Sequence, residues 1–347
     1  MQKLFSIFIS LLFFLFTSLD INSQPQLTTP DASQKASISQ QIGLTDITIN
    51  YHRPGVKGRS VWGDLVPLGE VWRAGANENT VISFSTDVKV NGNNLKAGKY
   101  GIHMIPGKDE WIIIFSNNFW SWGSYYYKPE QDALRIKVKP EKSEFCEWLE
   151  YRFNSADASS TNISMNWENL KVNFLVEVDV HKTVLESFEK ELDNMAGFFW
   201  QGWNQAAYYC LANNTNLETA LSWSDKSIGI NKNFQNQMTK VMILEKLGRN
   251  NEATELKKTA LESSTENEVN TVGYTYLQSG KVDEAIDLFT RNTAAYPDSW
   301  NTWDSLAEGY MVKGNKTDAI KYYKKALEIA PDSQKQRIIK ILERLQK

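Results

Sequence analysis

The spacing of apolar residues changes at His181, and that change decides the class of fold. Before it, from about residue 36 to 182, apolar residues recur at every second position. Ile47, Ile49 and Tyr51 share one side, as do Leu134, Ile136 and Val138, with Arg135, Lys137 and Lys139 opposite. Ile163, Met165 and Trp167 continue the pattern, followed by Val172, Phe174, Val176, Val178 and Val180. A period of two gives a strand one wet face and one dry face. NGNN at 91–94 is expected to join VKV to LKAGKY as a hairpin, and PGKD at 106–109 to join YGIHMI to EWIIIFS. About eight to ten short strands result, with no amphipathic helix between them. That excludes a parallel βαβ sheet and predicts an antiparallel β-sandwich.

After His181 the spacing is helical. TVLE at 183–186 has the form of a capping box and predicts a helix start there, with Leu185, Phe188, Leu192 and Met195 on one stripe. An internal repeat follows. Trp303, Leu306, Ala307, Tyr310, Ala319, Tyr323, Ala326 and Pro331 fall at the spacing of the 34-residue tetratricopeptide pattern. The same register 34 residues earlier holds Val269, Val272, Gly273, Tyr276, Ala285, Phe289, Asn292 and Pro297, of which Val269 and Asn292 depart from the pattern. Weaker relatives surround Ala253 and Ala220, so about four helix pairs are expected. Ile338, Ile341, Leu342 and Leu345 form one side of a terminal helix whose other side is basic, as a cap requires.

The expected architecture is therefore α+β and multidomain. An antiparallel β-sandwich spans 24–182, and an all-α tetratricopeptide-like solenoid spans 183–347. The clearest repeats are 266–298 and 300–332, with a capping helix over 333–347. Residues 1–23 carry Lys3 and then an apolar run from Leu4 to Phe16, the pattern of a cleaved signal peptide. The run is shorter than the roughly 20 residues of a membrane span. The expected location is periplasmic or extracellular, with no integral membrane segment after cleavage. A net charge of -3, without blocks of like charge, argues against a nucleic-acid partner. Cys146 and Cys210 fall in different domains and are expected as separate, inert thiols. His52, His103 and His181 lack metal-ligand spacing, and no nucleotide or hydrolase motif occurs in a fitting context, so no metal or cofactor is expected.

The segment YHRPGVKGRSVWGDLVPLGEVWRAGANENT, residues 51–80, concentrates charge in a turn-rich stretch. Gly55 and Gly58 allow a tight bend that gathers Arg53, Lys57 and Arg59. One account pairs these cations internally with Asp64, Glu70 and Glu78 and stacks them on Trp62 or Trp72. The other gives Arg53, Arg59 and Arg73 to a carboxylate, sulfate or phosphate, with Trp62 and Trp72 as a wall and Asn77 as a further donor. His103, on the opposite side of its strand from Tyr100, Ile102 and Met104, faces that loop; beside Glu78 or Asp132 it would make an acid and base pair. Trp111, Trp148 and Trp167 are expected in the core, and Trp62, Trp72, Trp120 and Trp122 nearer the surface.

RPxxKGR at 53–59, WGxLVP at 62–67, VWRxGANxxT at 71–80, AGKYGIHMIPG at 97–107, Trp111, SWG at 121–123 and DALR at 132–135 together resemble the family termed domain of unknown function 2911, found in exported bacterial proteins and often followed by such repeats. That resemblance covers about residues 45–180 and brings no catalytic residues with it. The helical half resembles the tetratricopeptide-repeat family, which implies a curved surface for a peptide or partner protein. Its expected inner positions in the last repeat are Asn301, Asp304 and Glu308, unlike the Lys and Asn clamp used for carboxy-terminal peptides. The leading expectation is an exported, non-enzymatic binding or assembly protein. Its β domain would hold an anionic or glycan-like ligand through the Arg/Trp loop, and its repeats would dock a protein. A periplasmic hydrolase or lyase using His103 with Glu78 or Asp132 is the alternative, and a purely structural scaffold with internally paired arginines is a second.

Overall fold

The computed structural model describes residues 29–262 and 264–346. The expected leader at 1–23 lies outside the described residues. The chain divides into two compact units between Asp179 and Val180.

The first unit contains ten strands among the described residues, all paired antiparallel. They are β1 (Gln34–Ile42), β2 (Thr45–Arg53), β3 (Thr80–Phe84), β4 (Val88–Val90), β5 (Asn93–Leu95), β6 (Gly98–Ile105), β7 (Trp111–Ser116), β8 (Asp132–Val138), β9 (Glu141–Ala156) and β10 (Ser160–Glu177). One sheet runs β1-β2-β3-β6-β7-β8 and the other β5-β4-β10-β9. Rings from the two sheets touch, Tyr51 on Tyr151 at 4.9 Å and Phe115 on Phe174 at 5.8 Å. Ile47, Ile49 and Tyr51 are buried as their alternation predicts.

NISMNW and KVNFLVEV form a single strand rather than two. The buried residues Ile163, Met165 and Trp167 have odd numbers, whereas Val172, Phe174 and Val176 have even ones. A strand can change parity only by inserting a residue, and the register shifts at Glu168, whose φ is 55. The Asn91–Gly92 turn makes its hairpin only between β4 and β5, because the chain then leaves for the other sheet at β6. PGKD joins β6 to β7 as expected. Residues 54–79, between β2 and β3, are held by isolated bridges, Gly55 with Trp148, Trp72 with Met104 and Glu78 with Trp122.

The second unit contains ten α-helices among the described residues. They are α1 (Val180–Leu192), α2 (Trp200–Ala212), α3 (Leu217–Ile230), α4 (Phe234–Lys246), α5 (Asn250–Glu262), α6 (Glu266–Gln278), α7 (Val282–Ala295), α8 (Trp300–Val312), α9 (Lys316–Ile329) and α10 (Asp332–Gln346). Helices α2 to α9 are the four expected pairs, and α10 is the cap. The first helix starts at Val180, before the expected capping box, and Thr183 donates to Val180 O from within its first turn. Met195 is exposed instead of joining the Leu192 stripe, because α1 ends at Leu192. The capping box of that form is at Thr265 and Glu268, opening α6.

Gly273 shows why the repeat needs a small residue. A Cβ there would lie 2.3 Å from the Phe289 ring. The first helix of a pair ends on Gly280 or Gly314, with φ of 77 and 81. In each case the following N–H returns to a carbonyl five residues back, Lys281 to Tyr276 and Asn315 to Tyr310. Asn292, a departure from the pattern, is buried and donates to Glu266 O at 3.0 Å, tying α7 to the start of α6. No helix among the described residues is long and apolar enough to cross a membrane.

Candidate functional site

Trp72 and Met104 exchange backbone hydrogen bonds, each 2.8 Å, which brings Arg73 and His103 to neighbouring positions on the other face. His103 pairs with Ile114 on β7, and Ile114 pairs with Arg135 on β8, so His103, Ile114 and Arg135 form one cross-strand row. Residues 117–131, between β7 and β8, supply partners for this row. They are bonded to the turn at 74–80: Asn79 N–H donates to Ser121 O at 3.1 Å and Gly123 N–H to Asn77 O at 3.2 Å. That turn is strained, with Ala74 and Asn77 at φ of 53 and 57. The Ala74 carbonyl accepts both the Thr80 and the Tyr151 hydroxyl at 2.9 Å, which holds the strain in place.

Arg73 lies against Trp122, with its guanidinium carbon 5.2 Å from the ring centre, and donates to Asn77 O at 3.3 Å. Trp122 in turn stacks on Tyr125 at 5.9 Å and 5°. These rings are open to solvent: Trp120 is 72% exposed, Trp122 53%, Tyr125 78% and Tyr126 69%. No carboxylate pairs with Arg73 among the described residues.

His103 is 2% exposed. Its Nδ1 lies 3.0 Å from Ser124 Oγ, and the Tyr127 ring is centred 5.1 Å away. Burial pulls its pKa down to about 4 against the smaller upward pull of Asp132, so the imidazole is neutral at ordinary pH. Tyr127 donates to Asp132 Oδ2 at 2.8 Å, and Arg135 Nε donates to the same oxygen at 2.5 Å. Burial, with the bonded Asp132 carboxylate adding to it, pushes the Tyr127 phenol up to about 12. Such a histidine is a poor general base near neutrality.

The three arginines singled out in the sequence have separate partners. Arg53 Nε donates to Leu149 O at 3.0 Å and its Nη2 lies 3.5 Å from Glu150, which Arg152 also contacts. Arg59 turns back on its own bend and donates to Gly55 O at 2.6 Å and Val56 O at 3.0 Å. Asp64 and Glu70 pair with none of them among the described residues, and Glu78 faces His52 at 3.4 Å. Of the proposed acid partners, only Asp132 belongs to the cluster around His103. Trp62 and Trp72 are half-buried, less open than Trp120 and Trp122. Trp62 packs on Trp111 at 4.8 Å and on Trp167 at 5.7 Å, and Trp72 stacks on Trp167 at 5.8 Å. Trp148, expected inside, is 37% exposed. Asn77 contributes its carbonyl to Arg73 and its amide to Ser33 O at 3.5 Å. Ser124, Tyr125 and Tyr127 were not anticipated; four aromatics within Trp122–Tyr127, in a turn-rich stretch, were the available signal.

In the repeats, Asn301, Asp304 and Glu308 are each engaged within the unit. Arg337 donates to Asp304 at 2.8 Å, Tyr274 donates to Glu308 at 2.8 Å, and Asn301 donates to Glu266 at 3.3 Å. The cysteines are free, Cys210 buried and Cys146 partly so.

Residues 300–333 match the tetratricopeptide repeat. A stretch of 61 residues is 36% identical to human superkiller complex protein 3, covering 18% of this chain and 4% of that protein. Among solved structures, MamA 41-end from Desulfovibrio magneticus RS-1 is 16% identical, with 42% of this chain and 82% of that chain covered and a TM-score of 0.26. YrrB, a TPR protein with an unusual peptide-binding site, is 20% identical over 46% of this chain and 84% of its own, again with a TM-score of 0.26. The repeats give the second unit a protein-interaction role. Residues 33–176, which hold both sheets and every residue of the His103 and Arg73 clusters, match the family "Protein of unknown function (DUF2911)", and the chain is thus a DUF2911 domain followed by tetratricopeptide repeats.

Proposed function

We propose that this is an exported, non-enzymatic binding and assembly protein. Its β domain recognises an anionic, glycan-like ligand on the aromatic connection that contains Trp122, and its repeats hold a protein partner. The observation that carries the reading is the stacked, solvent-open pair Trp122 and Tyr125 lying over Arg73, a guanidinium with no carboxylate partner among the described residues. Exposed rings of this size are unusual on a surface without a ligand, and they offer flat apolar faces to a sugar ring. Arg73 beside them supplies a planar charge for a carboxylate. The cluster around His103 supports binding over hydrolysis, since its imidazole is closed off from solvent and burial makes it a weak base. Export rests on the amino-terminal sequence pattern.

The test is a thermal-shift and tryptophan-fluorescence titration of the chain with glucuronic acid, with glucose as the neutral control. A ligand that binds only the folded state at about 100 times its Kd adds about 2.7 kcal/mol and raises Tm. The expected result is a rise with the acid alone, lost in Trp122→Ala and reduced to the glucose level in Arg73→Gln. Equal responses in wild type and Trp122→Ala would overturn the reading.

A further inference from the structure

The face of α8 that carries Asn301, Asp304 and Glu308, the one expected to face inward, is occupied by its own hydrogen bonds. Arg337 of α10 reaches Asp304 of α8, Tyr274 of α6 reaches Glu308, and Glu266 accepts from Ser299 at 2.7 Å as well as from Asn301. Each bond joins one repeat to the next, so a partner entering there must break the contacts that hold the repeats together. The opposite side of α8 differs. Trp303 and Leu306 lie roughly 100–160° around the helix from Asp304 and Glu308, at roughly 100° per residue. There, together with α7 and α9, they line an open groove of about 670 Å³.

The groove combines a rigid aromatic floor with positive charge. Trp303 Nε1 donates to Pro297 O at 2.8 Å, which fixes the indole, and its ring stacks on Tyr322 at 5.9 Å and 21°. Lys321, Lys324 and Lys325 stand at the rim. Lys325 is paired with Glu328 at 2.9 Å, and the Lys321 ammonium lies 5.0 Å from the Tyr322 ring centre. Neither Lys321 nor Lys324 has a carboxylate partner among the described residues. The chain as a whole is acidic at -3, so this local positive excess is not a general property of its surface.

We infer that this outer groove docks an acidic segment of a protein partner that carries one aromatic side chain. The aromatic ring lies against the half-buried Trp303 and Tyr322, and carboxylates on either side of it meet Lys321 and Lys324. The volume falls within the usual range of about 300–1,000 Å³ for a binding cleft, and complementary charge both speeds the encounter and rejects basic segments. This inference rests on the reading that the repeats hold a protein, and it places that contact on the outer side.

The experiment measures fluorescence anisotropy of the full chain with a labelled peptide, a single phenylalanine flanked on both sides by glutamates. The control peptide has glutamines in place of the glutamates. The expected result is binding of the acidic peptide only, weakened by salt and by about tenfold or more in the Lys321→Glu, Lys324→Glu double variant. Ala294→Trp, which fills the groove from α7 without changing charge, is expected to block binding. Asn301→Lys on the inner face is expected to leave it unchanged. Circular dichroism melts confirm that each variant folds. Binding that survives both groove variants, or that is lost only in Asn301→Lys, would overturn the outer groove while leaving the repeats as a docking module. Absence of binding to the wild type would overturn it as well, and the glucuronic acid titration of the β domain is independent of every one of these outcomes.

Discussion

Arg135 donates to Asp132 from the same side of β8, although residues three apart on a regular strand face opposite ways. The register explains it. Leu134 pairs with Phe115 and Asp132 with Ser116, so Ala133 is an extra residue without a partner of its own. The bulge rotates Asp132 onto the face that carries Arg135 and His103. The side chain of Asp132 is only 8% exposed, and its Oδ1 has no hydrogen-bond partner among the described residues.

A buried carboxylate depends on the partners it has. Arg135→Ala leaves Asp132 with the Tyr127 hydroxyl alone, and a loss of about 1–3 kcal/mol in urea unfolding is expected, less than for a fully buried pair because Arg135 is half open to water. Asp132→Asn in the same background is expected to recover part of that loss. If the single and double variants are equally unstable, Asp132 is not the reason Arg135 matters.

His103 gives the β domain a defined pH response. Its folded-state pKa is about 4, lowered by burial from an ordinary value near 6.5. Above pH 6.5 both states are neutral and the group is silent. Between about 6.5 and 4 the unfolded chain takes up a proton that the folded chain refuses, so stability falls as pH falls. At pH 5 the loss is about 2 kcal/mol. Comparison of urea midpoints at pH 7 and pH 5 checks this: His103→Asn is expected to have the smaller difference. An equal difference in both proteins would assign the acid sensitivity to other groups.

Gly123 sets the distance between Arg73 and Trp122. Its φ is 67, and a Cβ there would lie 2.7 Å from Arg73 Nη1 and 3.1 Å from the Tyr125 ring. Gly123→Ala is expected to cost about 1–2 kcal/mol from the backbone alone. It should also move the guanidinium off the indole, and the change in Trp122 fluorescence reports this. An unaltered spectrum would show that Arg73 can keep its place by another rotamer.

The two units were legible in the sequence for a physical reason: period two and period 3.6 are imposed by burial, and burial governs most of both units. Ile47, Ile49 and Tyr51, and the helix pair that holds Gly273 against Phe289, could be placed from spacing alone. The site was legible only in part. Tryptophans in turn-rich sequence were expected outside, but Trp62 and Trp72 pack on Trp111 and Trp167 because residues 54–79 are bonded back across the sheet at Met104. The partner of Arg53 is Glu150, 97 residues away on β9, and no local rule relates the two. Asp132 and Arg135 required knowledge of a bulge at Ala133, which a pattern of single residues does not carry.

The cap of the repeats offers the last prediction. Asp304 is buried on α8 with Arg337 of α10 at 2.8 Å, and burial raises its pKa although Arg337 opposes the shift. Removal of the guanidinium in Arg337→Ala therefore leaves a carboxylate with little water and no counter-charge, at a cost of about 1–3 kcal/mol. Repeat proteins are held together by nearest-neighbour contacts, so the loss should appear locally. Hydrogen exchange is expected to quicken in α8, α9 and α10 while α4 and α5 keep their protection. Asp304→Asn added to Arg337→Ala removes the stranded charge and should restore most of the protection, the coupling expected of a direct pair. Exchange that quickens uniformly through the helical unit would mean that the pair supports the whole solenoid and not its end.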